Sequence, residues 1–530
     1  MNKDPDESKV ALNLDDALDY LGFGRFQILS MMMCGFCWCV DTMEVMALTF
    51  LLVQLRLEWG LSPFEESALP AAIFVGVFIG NIFFGWLSDR LGRRYGYLLT
   101  CVLVSGFGLA SAFAQNTWQI TLFRALEGVG LGGSVVGFSL ISELLPVRVR
   151  GKALQFFEFF STGGALIEAG LAWAFLPIMS WRYFLLITVG LMVVNLCMWP
   201  FLPESPRFYV LTGRPEKARK VLERIARMNR KQLPAGQLIC PRVAHRARPT
   251  DLFAKGMWRT TVSMWLIWFI DTFVYYGFMI LTPDYFQLEA KDSNYLMIFV
   301  TTAAEVPGLL AAALLVDRLG RKRSLALYFA LTMAATIPLG FQLPAWAGPV
   351  CMICSRMCIM AAFRWVPPDS RDHCHCPLGY SSSWLRVTYT YTPEVFPTAI
   401  RAIAMGTCAA TSRISGIATS FVAAMTDDSL WYPVIAYASA CLVGVVMALL
   451  LRKETANKRL ADTVDQESTA NSAAAVELAG SPPAVSPPAE GSGKKSPGYR
   501  PVLAEADEES EGRGERVTLL TDGPILSGAI

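Results

Sequence analysis

Two carboxylates three residues apart, Asp41 and Glu44, lie inside an apolar run extending from about residue 27 to 55. That spacing puts both on one face of a helix, and two close carboxyl groups in a poorly solvated site titrate as a pair. Such a pair can hold a proton or an organic cation; the competing use is an internal ion pair with Arg124 or Arg413. A second group, Trp265, Trp268, Asp271, Tyr275 and Tyr276, stands on a later run, where 265, 268, 272 and 275 share a stripe and 271 lies beside it. Aromatic faces with one acid suit a cationic or aromatic organic molecule, although aromatics in membrane helices commonly serve packing or the interface. A charge at mid-helix costs roughly 2.5 to 3.5 kcal/mol on insertion scales. Glu127, Glu158, Glu168, Glu305 and Arg413 therefore need a reason, and a polar space between bundles of helices would supply it. Nucleophile, base and orienting group occur together nowhere, which argues against an enzyme.

These residues sit in a chain of 530 positions that is 53% hydrophobic and 17% charged, more apolar than a soluble domain of ordinary make-up. A helix needs about 20 apolar residues to cross roughly 30 Å of hydrocarbon. Ala68 to Ser88 meets this, and similar runs lie near 27 to 55, 95 to 114, 118 to 142, 153 to 178, 182 to 202, 257 to 283, 294 to 316, 324 to 343, 346 to 363, 399 to 424 and 430 to 451. The pattern predicts an all-α membrane protein of twelve spans in two six-helix halves, 26–202 and 257–452, behind a polar segment 1–25. Arg90, Arg93, Arg94, Arg148, Arg150 and Lys152, then Arg318, Arg321, Lys322 and Arg323, fall in alternate connections, so both termini are expected on the cytoplasmic side.

The connection 203–256 carries thirteen Lys and Arg against four acids. Within it Pro215 starts a helical pattern in which Ala218, Val221, Leu222, Ile225 and Ala226 share a face, which predicts an amphipathic helix under the bundle or against lipid headgroups. The tail from 453 is rich in Ala, Ser, Pro, Gly and Glu and is expected to be disordered. In it Glu515 to Leu520 is similar to the acidic dileucine signals read by endocytic adaptors. Gly491 to Lys495 lacks the hydroxyl residue and preceding strand of a phosphate loop. His373, Cys374, His375 and Cys376 are consecutive rather than spaced as metal ligands, so neither metal nor cofactor is expected, and nothing points to nucleic acid.

The strongest signal is a repeat. Gly85, Asp89, Arg90, Gly92 and Arg93 close one run, and Asp317, Arg318, Gly320 and Arg321 close another 228 positions later. Arg124 to Gly132, and Pro203-Glu204-Ser205-Pro206-Arg207, add to it. These motifs resemble those of the major facilitator superfamily, in its sugar-porter and organic-ion branches. Gly22 to Gln27, Asp41 to Glu44, Tyr275 to Gly277 and Tyr391 to Pro397 resemble the synaptic vesicle two-related group most, over about residues 20 to 452. The resemblance implies a secondary or facilitative carrier in a plasma or vesicular membrane, moving a small organic solute by alternating access with or without protons. The alternatives are a non-transporting receptor or scaffold on the same fold, and a sugar-like substrate. Few amides in the spans disfavour sugar.

On that resemblance Gly85 admits a close neighbouring helix. Asp89, Arg93, Glu143, Arg150, Glu204 and Arg207, with Asp317, Arg321, Glu394 and Arg401, are expected to form a cytoplasmic ion-pair gate. The spacing Glu143 to Arg150 repeats in Glu394 to Arg401, but Arg124 to Glu143 is 19 positions while Arg356 to Glu394 is 38. The excess predicts an insertion over about 364–385.

Overall fold

The computed structural model describes residues 11–157, 159–234, 237–239, 249–254, 257–290, 295–308, 321–341, 343–344, 346–363, 392, 395–396, 400–425 and 430–451. Glu158, Asp317, Glu394, the 364–385 stretch and the tail with Glu515 to Leu520 fall outside those residues, and Arg321 and Arg401 are described only as helical backbone.

Among the described residues, twelve apolar helices build the bundle. The first six are α1 (Arg25–Trp59), α2 (Pro63–Leu91), α3 (Arg93–Ala112), α4 (Thr117–Leu144, broken at Gly132 and Gly133), α5 (Phe159–Phe175) and α6 (Trp181–Met198). The second six are α7 (Trp258–Ala290), α8 (Tyr295–Gly308), α9 (Arg321–Thr336), α10 (Ala347–Phe363), α11 (Arg401–Ala423) and α12 (Trp431–Leu450). Among the described residues eight of them are long and apolar enough to cross a membrane alone; α5, α8 and α10 are shorter, and α11 carries Arg413.

Local chemistry fixes where these helices begin. Ser62 caps α2 through a capping box, its hydroxyl accepting from Glu65 N–H while the Glu65 carboxylate accepts from Ser62 N–H at 3.0 Å, and Pro63 follows at the first helical position. Asn116 caps α4 by accepting from Gln119 N–H at 2.9 Å. Between α2 and α3 the chain turns at Gly92, whose φ of 103° is a conformation that side chains rarely tolerate.

Packing repeats with a period of six helices. α1 lies on α5 as α7 lies on α11; α3 lies on α4 and α6 as α9 lies on α10 and α12. The halves meet through α2 on α11 and α5 on α8, two contacts that the same rule interchanges. This is a two-fold repeat of inverted or parallel halves such as carriers use. Outward-facing positions are apolar, among them Ile79, Ile82, Phe83, Leu109, Val194 and Val446, while polar groups turn inward. Buried Asn195 on α6 donates to Tyr97 Oη at 2.8 Å, and Tyr97 donates to the Met33 carbonyl at 3.0 Å, tying α6, α3 and α1. In hydrocarbon every such group must be satisfied within the protein.

The tightest helix crossing is α2 on α4. A Cβ on Gly128 would run into the Ile73 carbonyl, and one on Gly76 would come within 3.0 Å of the Gly128 Cα. Gly85, expected to admit a close neighbour, instead faces open space, with nothing described within 4 Å of where its Cβ would stand. The close approach belongs to the preceding turns of α2. Gly128→Leu is therefore expected to destabilise the bundle by about 1–3 kcal/mol through overpacking, seen as an earlier thermal unfolding in detergent. Gly85→Ala should be neutral in the same measurement, and a reversed order would refute the assignment.

Candidate functional site

At the heart of the first half, α1, α4, α5 and α6 surround a wholly buried ionic cluster. Arg124 on α4 donates from Nη1 to Glu44 Oε2 on α1 at 2.9 Å and lies 3.1 Å from Glu127 Oε2, one turn along its own helix. Glu168 on α5 accepts from the Thr188 hydroxyl on α6 at 3.0 Å. Arg124, Glu44, Glu127 and Glu168 all have zero exposure. Three carboxyl groups thus share one guanidinium away from water, and Glu44 Oε1 and both Glu127 oxygens have no hydrogen-bond donor. A buried charge left short of partners is costly.

The second half holds a smaller counterpart. Arg356, on α10 where α4 falls under the six-helix rule, donates from Nη2 to Glu305 Oε1 on α8 at 2.5 Å. Its Nη1 lies 3.4 Å from the Thr282 hydroxyl on α7. Glu305 was legible as an intramembrane charge; Arg356 was legible only as the register mate of Arg124.

Between the halves lies a partly open cavity of about 80 Å³. From α1 it is lined by Trp38, Asp41, Thr42 and Val45, and from α7 by Thr272, Tyr275, Tyr276 and Met279. Ser161 on α5, Met360 on α10, and Ser412 with Arg413 on α11 complete the wall. Asp41 is half-buried, with Ser134 and Arg413 near enough to act on its charge. Arg413 donates to Tyr276 Oη at 3.2 Å.

The structure therefore divides the expected Asp41 and Glu44 pair: Asp41 faces the central space and Glu44 the cluster inside the first half. It divides the α7 stripe too. Tyr275 and Tyr276 line the space, whereas Trp268 is fully buried and donates to the Thr392 hydroxyl at 3.0 Å, and Asp271 is fully buried beside Cys441. Trp265 donates to Thr407 at 3.1 Å. Trp38, one turn before Asp41, was the missed wall residue; the spacing of three that linked Asp41 to Glu44 also reaches back to it.

At the end of the bundle bearing Arg93, the expected gate residues Asp89, Arg93 and Glu143 interlock, while Arg150 and Arg207 turn to a residue outside the expected set. Arg93 donates to Asp89 at 2.5 Å and stands 3.6 Å from Glu143. Arg150, expected near Glu143, donates instead to Asp15 at 3.2 Å, and Arg207 donates to the same carboxylate at 2.7 Å. Asp15 comes from a short helix, Leu14–Leu21, that the sequence reading left inside a polar segment. Strands Ala11–Asn13 and Gln237–Ile239 pair in parallel, and Asn229 accepts from Phe26 N–H at 3.1 Å. The amphipathic helix Pro215–Met228 buries Ala218, Leu222, Ile225 and Ala226 against protein, not headgroups.

Glu204 sits at the start of α3, accepting from Arg93 N–H at 2.9 Å and Arg94 N–H at 3.1 Å. Burial raises its carboxyl above the ordinary value, and the backbone donors of Ser205, Arg94 and Arg93 oppose that rise. Gly92 leaves the room for it, since a Cβ there would stand 2.9 Å from the Glu204 carboxyl carbon.

The opposite end joins the halves. Arg56 on α1 pairs with Glu66 on α2 and lies 3.1 Å from Asp284 on α7, and Gln54 donates to Tyr295 Oη on α8 at 2.8 Å. None of these residues was anticipated, for each reads as an ordinary end-of-span polar group.

A family model described as "Sugar (and other) transporter" matches residues 61–464. The chain is 32% identical over 479 residues to the synaptic vesicle 2-related protein of Rattus norvegicus, spanning 86% of this chain and 83% of that protein. It is 30% identical over 509 residues to the organic cation/carnitine transporter 7 of Arabidopsis thaliana, spanning 86% and 97% respectively. Among solved structures, the inward open conformation of the xylose transporter XylE from E. coli superposes with a TM-score of 0.62 at 18% identity, over 82% of this chain and 98% of that one. That last likeness is one of fold.

Two predictions follow from the geometry of the two ends. Glu204→Ala should cost about 1–3 kcal/mol by stranding the buried N–H groups of Arg93 and Arg94, measured as a lower unfolding temperature in detergent. In a double-mutant cycle of Arg56→Gln and Asp284→Asn, a coupling of about 1 kcal/mol is expected for this partly exposed pair; additive effects would dissolve the tie between halves.

Proposed function

Because this chain belongs to the sugar (and other) transporter family of the major facilitator superfamily, we propose that it is a secondary carrier of a small organic ion, coupled to protons and working by alternating access. One observation carries this reading: α1 presents Asp41 to the central space and, one turn on, Glu44 to a buried cluster of three carboxyl groups and one guanidinium. A charge bound at Asp41 and a proton bound beside Glu44 then act through the same helix turn. Movement of either changes the field at the other, since a charge in low dielectric is felt at several ångströms.

The aromatic walls Trp38, Tyr275 and Tyr276 favour an organic ion over a sugar, and among the described residues the lining holds no amide side chain. The printed name of the Arabidopsis relative, an organic cation/carnitine transporter, points the same way. Basic connections place the Arg93 end in the cytoplasm with both termini. The Arg56 end then faces the exterior or a vesicle lumen, and its ties between α1, α2 and α7 must part for solute to enter from that side. In the cycle, α1, α2, α4 and α5 move as part of one half while α7, α8, α10 and α11 move as part of the other. At the cytoplasmic face Asp89, Arg93, Glu143, Glu204, Arg150 and Arg207 brace the first half, and the sequence repeat sets Asp317, Arg321, Glu394 and Arg401 in register with members of that set.

The test is uptake of organic cations into proteoliposomes under an imposed pH gradient. Glu168→Gln keeps a hydrogen-bond acceptor for Thr188 and removes an ionisable group, so its fold should survive. Together with Glu44→Gln it is expected to lower gradient-driven accumulation by about tenfold, equivalent to about 1.4 kcal/mol, while exchange of solute for solute continues. Undiminished proton-driven accumulation in both variants would remove the coupling role. Absence of any uptake or exchange by the wild-type chain would favour the scaffold reading.

A further inference from the structure

The span α6 ends in a short turn, Trp199–Phe201, and two arginines from separate parts of the chain close on it. Arg94, in the first turn of α3, donates from Nη2 to the Pro200 carbonyl at 3.1 Å. Arg224, on the helix Pro215–Met228, donates from Nη2 to the Phe201 carbonyl at 2.9 Å. The two carbonyls are consecutive, so two guanidiniums are held side by side at the foot of one span. A single cation is enough to cap a helix C-terminus; a second beside it adds repulsion. Among the described residues neither guanidinium has a carboxylate at ion-pair distance: Glu204 accepts from the backbone N–H of Arg94, and Glu223 is engaged by Arg219 at 3.3 Å. Arg94 Nε is buried there without a hydrogen-bond partner. The pair of cations is thus one anion short.

The surroundings are those of a bilayer interface. Phe201 is 63% exposed and Tyr95 55%. Trp199 lies under the Arg94 guanidinium, 4.5 Å from ring centre to charge, and donates its indole N–H to the Arg94 carbonyl at 3.0 Å. Toward the middle of the span, α6 turns Val193 and Val194 outward. Aromatic rings beside basic residues mark the headgroup level of a membrane helix. On the helix Pro215–Met228, the face opposite the buried Ala218, Leu222 and Ile225 carries Lys217, Lys220, Arg224 and Arg227, all exposed and spaced by three and four. No acid interrupts that stripe.

We propose that the foot of α6 is a binding site for an anionic phospholipid, with the headgroup phosphate between Arg94 and Arg224 and an acyl chain along Trp199, Phe201 and the outer face of α6. Guanidiniums match phosphate oxygens in geometry and charge, and basic pockets at the ends of spans suit anionic headgroups. The further cations of the stripe favour a headgroup of net negative charge over a zwitterionic one. A lipid satisfies both the cations and the exposed apolar rings, whereas a free phosphate satisfies only the first. Seated there, it joins α3 and α6 to the helix Pro215–Met228, and so fastens that helix to the first half. The site lies apart from the central space and does not depend on which solute is carried.

The experiment titrates the purified full chain in detergent with phosphatidylserine or phosphatidylcholine of identical acyl chains and reads bound lipid by native mass spectrometry. The wild-type protein should bind phosphatidylserine about tenfold more tightly than phosphatidylcholine. Arg94→Gln and Arg224→Gln should each reduce that preference by about threefold, and the double variant should abolish it. Arg219→Gln, which removes the same charge from the same helix away from the stripe, should retain it. Should Arg94→Gln lower the unfolding temperature, Arg224→Gln on the exposed face decides alone. Glycerophosphoserine, the same headgroup without chains, should fail to displace the lipid. Equal binding of the two lipids by the wild-type chain overturns the assignment, as does a preference that survives in Arg224→Gln protein of wild-type stability. Equal losses in Arg219→Gln and Arg224→Gln would mean diffuse attraction to a basic surface and no site, and displacement by glycerophosphoserine would mean a site for soluble phosphates; either result also overturns it.

Discussion

Arg124 is the constraint around which the first half is organised. A guanidinium with no exposure in a membrane-spanning bundle must find its counter-charges inside the protein. It takes one from α1 through Glu44 and one from its own helix through Glu127. The first contact fixes the rotation of α1 about its axis. Once Glu44 is turned to Arg124, Asp41 and Trp38, three and six positions earlier, are turned to the central space. The close crossing of α2 on α4 at Gly128 sets the depth at which Arg124 stands. Replacing the guanidinium would leave the carboxyl groups facing one another without a cation, so the helix packing and the lining of the central space depend on the same residue.

The two halves repeat the helix contacts but not the ionic chemistry. Under the six-helix rule Arg356 occupies the place of Arg124, yet its acid comes from α8, the counterpart of α2, rather than from the counterpart of α1. On α7, which corresponds to α1, the acid Asp271 is buried beside Cys441, and Trp268 is bonded to Thr392. Among the described residues, the buried pair of the second half sets Glu305 against Arg356, while the cluster of the first sets Glu44, Glu127 and Glu168 around Arg124. The repeat has kept its helix packing and not its ionic pairing.

The architecture was legible in the sequence because membrane helices announce themselves by length and apolarity, and the repeat of Asp89 to Arg93 at Asp317 to Arg321 fixed the two halves. The titratable residues were legible for a related reason: a charge inside an apolar run is costly enough to be conspicuous. Which of them meet was not. Helical spacing placed Asp41 and Glu44 on one face, but a face some 100° wide can turn one residue to a cavity and the next to a neighbouring helix. Partners were misjudged where several arginines stood within reach of one acid. Glu143 took Arg93 and left Arg150 to Asp15, a residue on a short helix in a stretch that composition alone marked as polar. Gly85 was credited with a close approach because it belonged to a motif, whereas the crowding arises at Gly76 and Gly128.

The distribution of ties between the two ends has a mechanical consequence. At the Arg93 end, Arg93 with Asp89 and Glu143, Arg148 with Asp19, and Arg150 and Arg207 with Asp15 join segments of the first half, the leading helix Leu14–Leu21 and the central connection to one another. At the Arg56 end, Arg56 to Asp284 and Gln54 to Tyr295 cross from one half to the other. The first set makes the first half a braced unit, with the strand pair and the amphipathic helix as a collar under it. The second set resists separation at the far end. A rocking motion that opens the far end must break the crossing pairs and can leave the braced unit whole. Relative movement of the halves is therefore set by a few polar contacts at α1, α2, α7 and α8, and the same α1 carries Asp41 and Glu44. A change in charge at either carboxylate acts on a helix whose far end already carries part of the tie between the halves, and on the carrier reading proposed above this is the route by which solute and proton would each bias the gate.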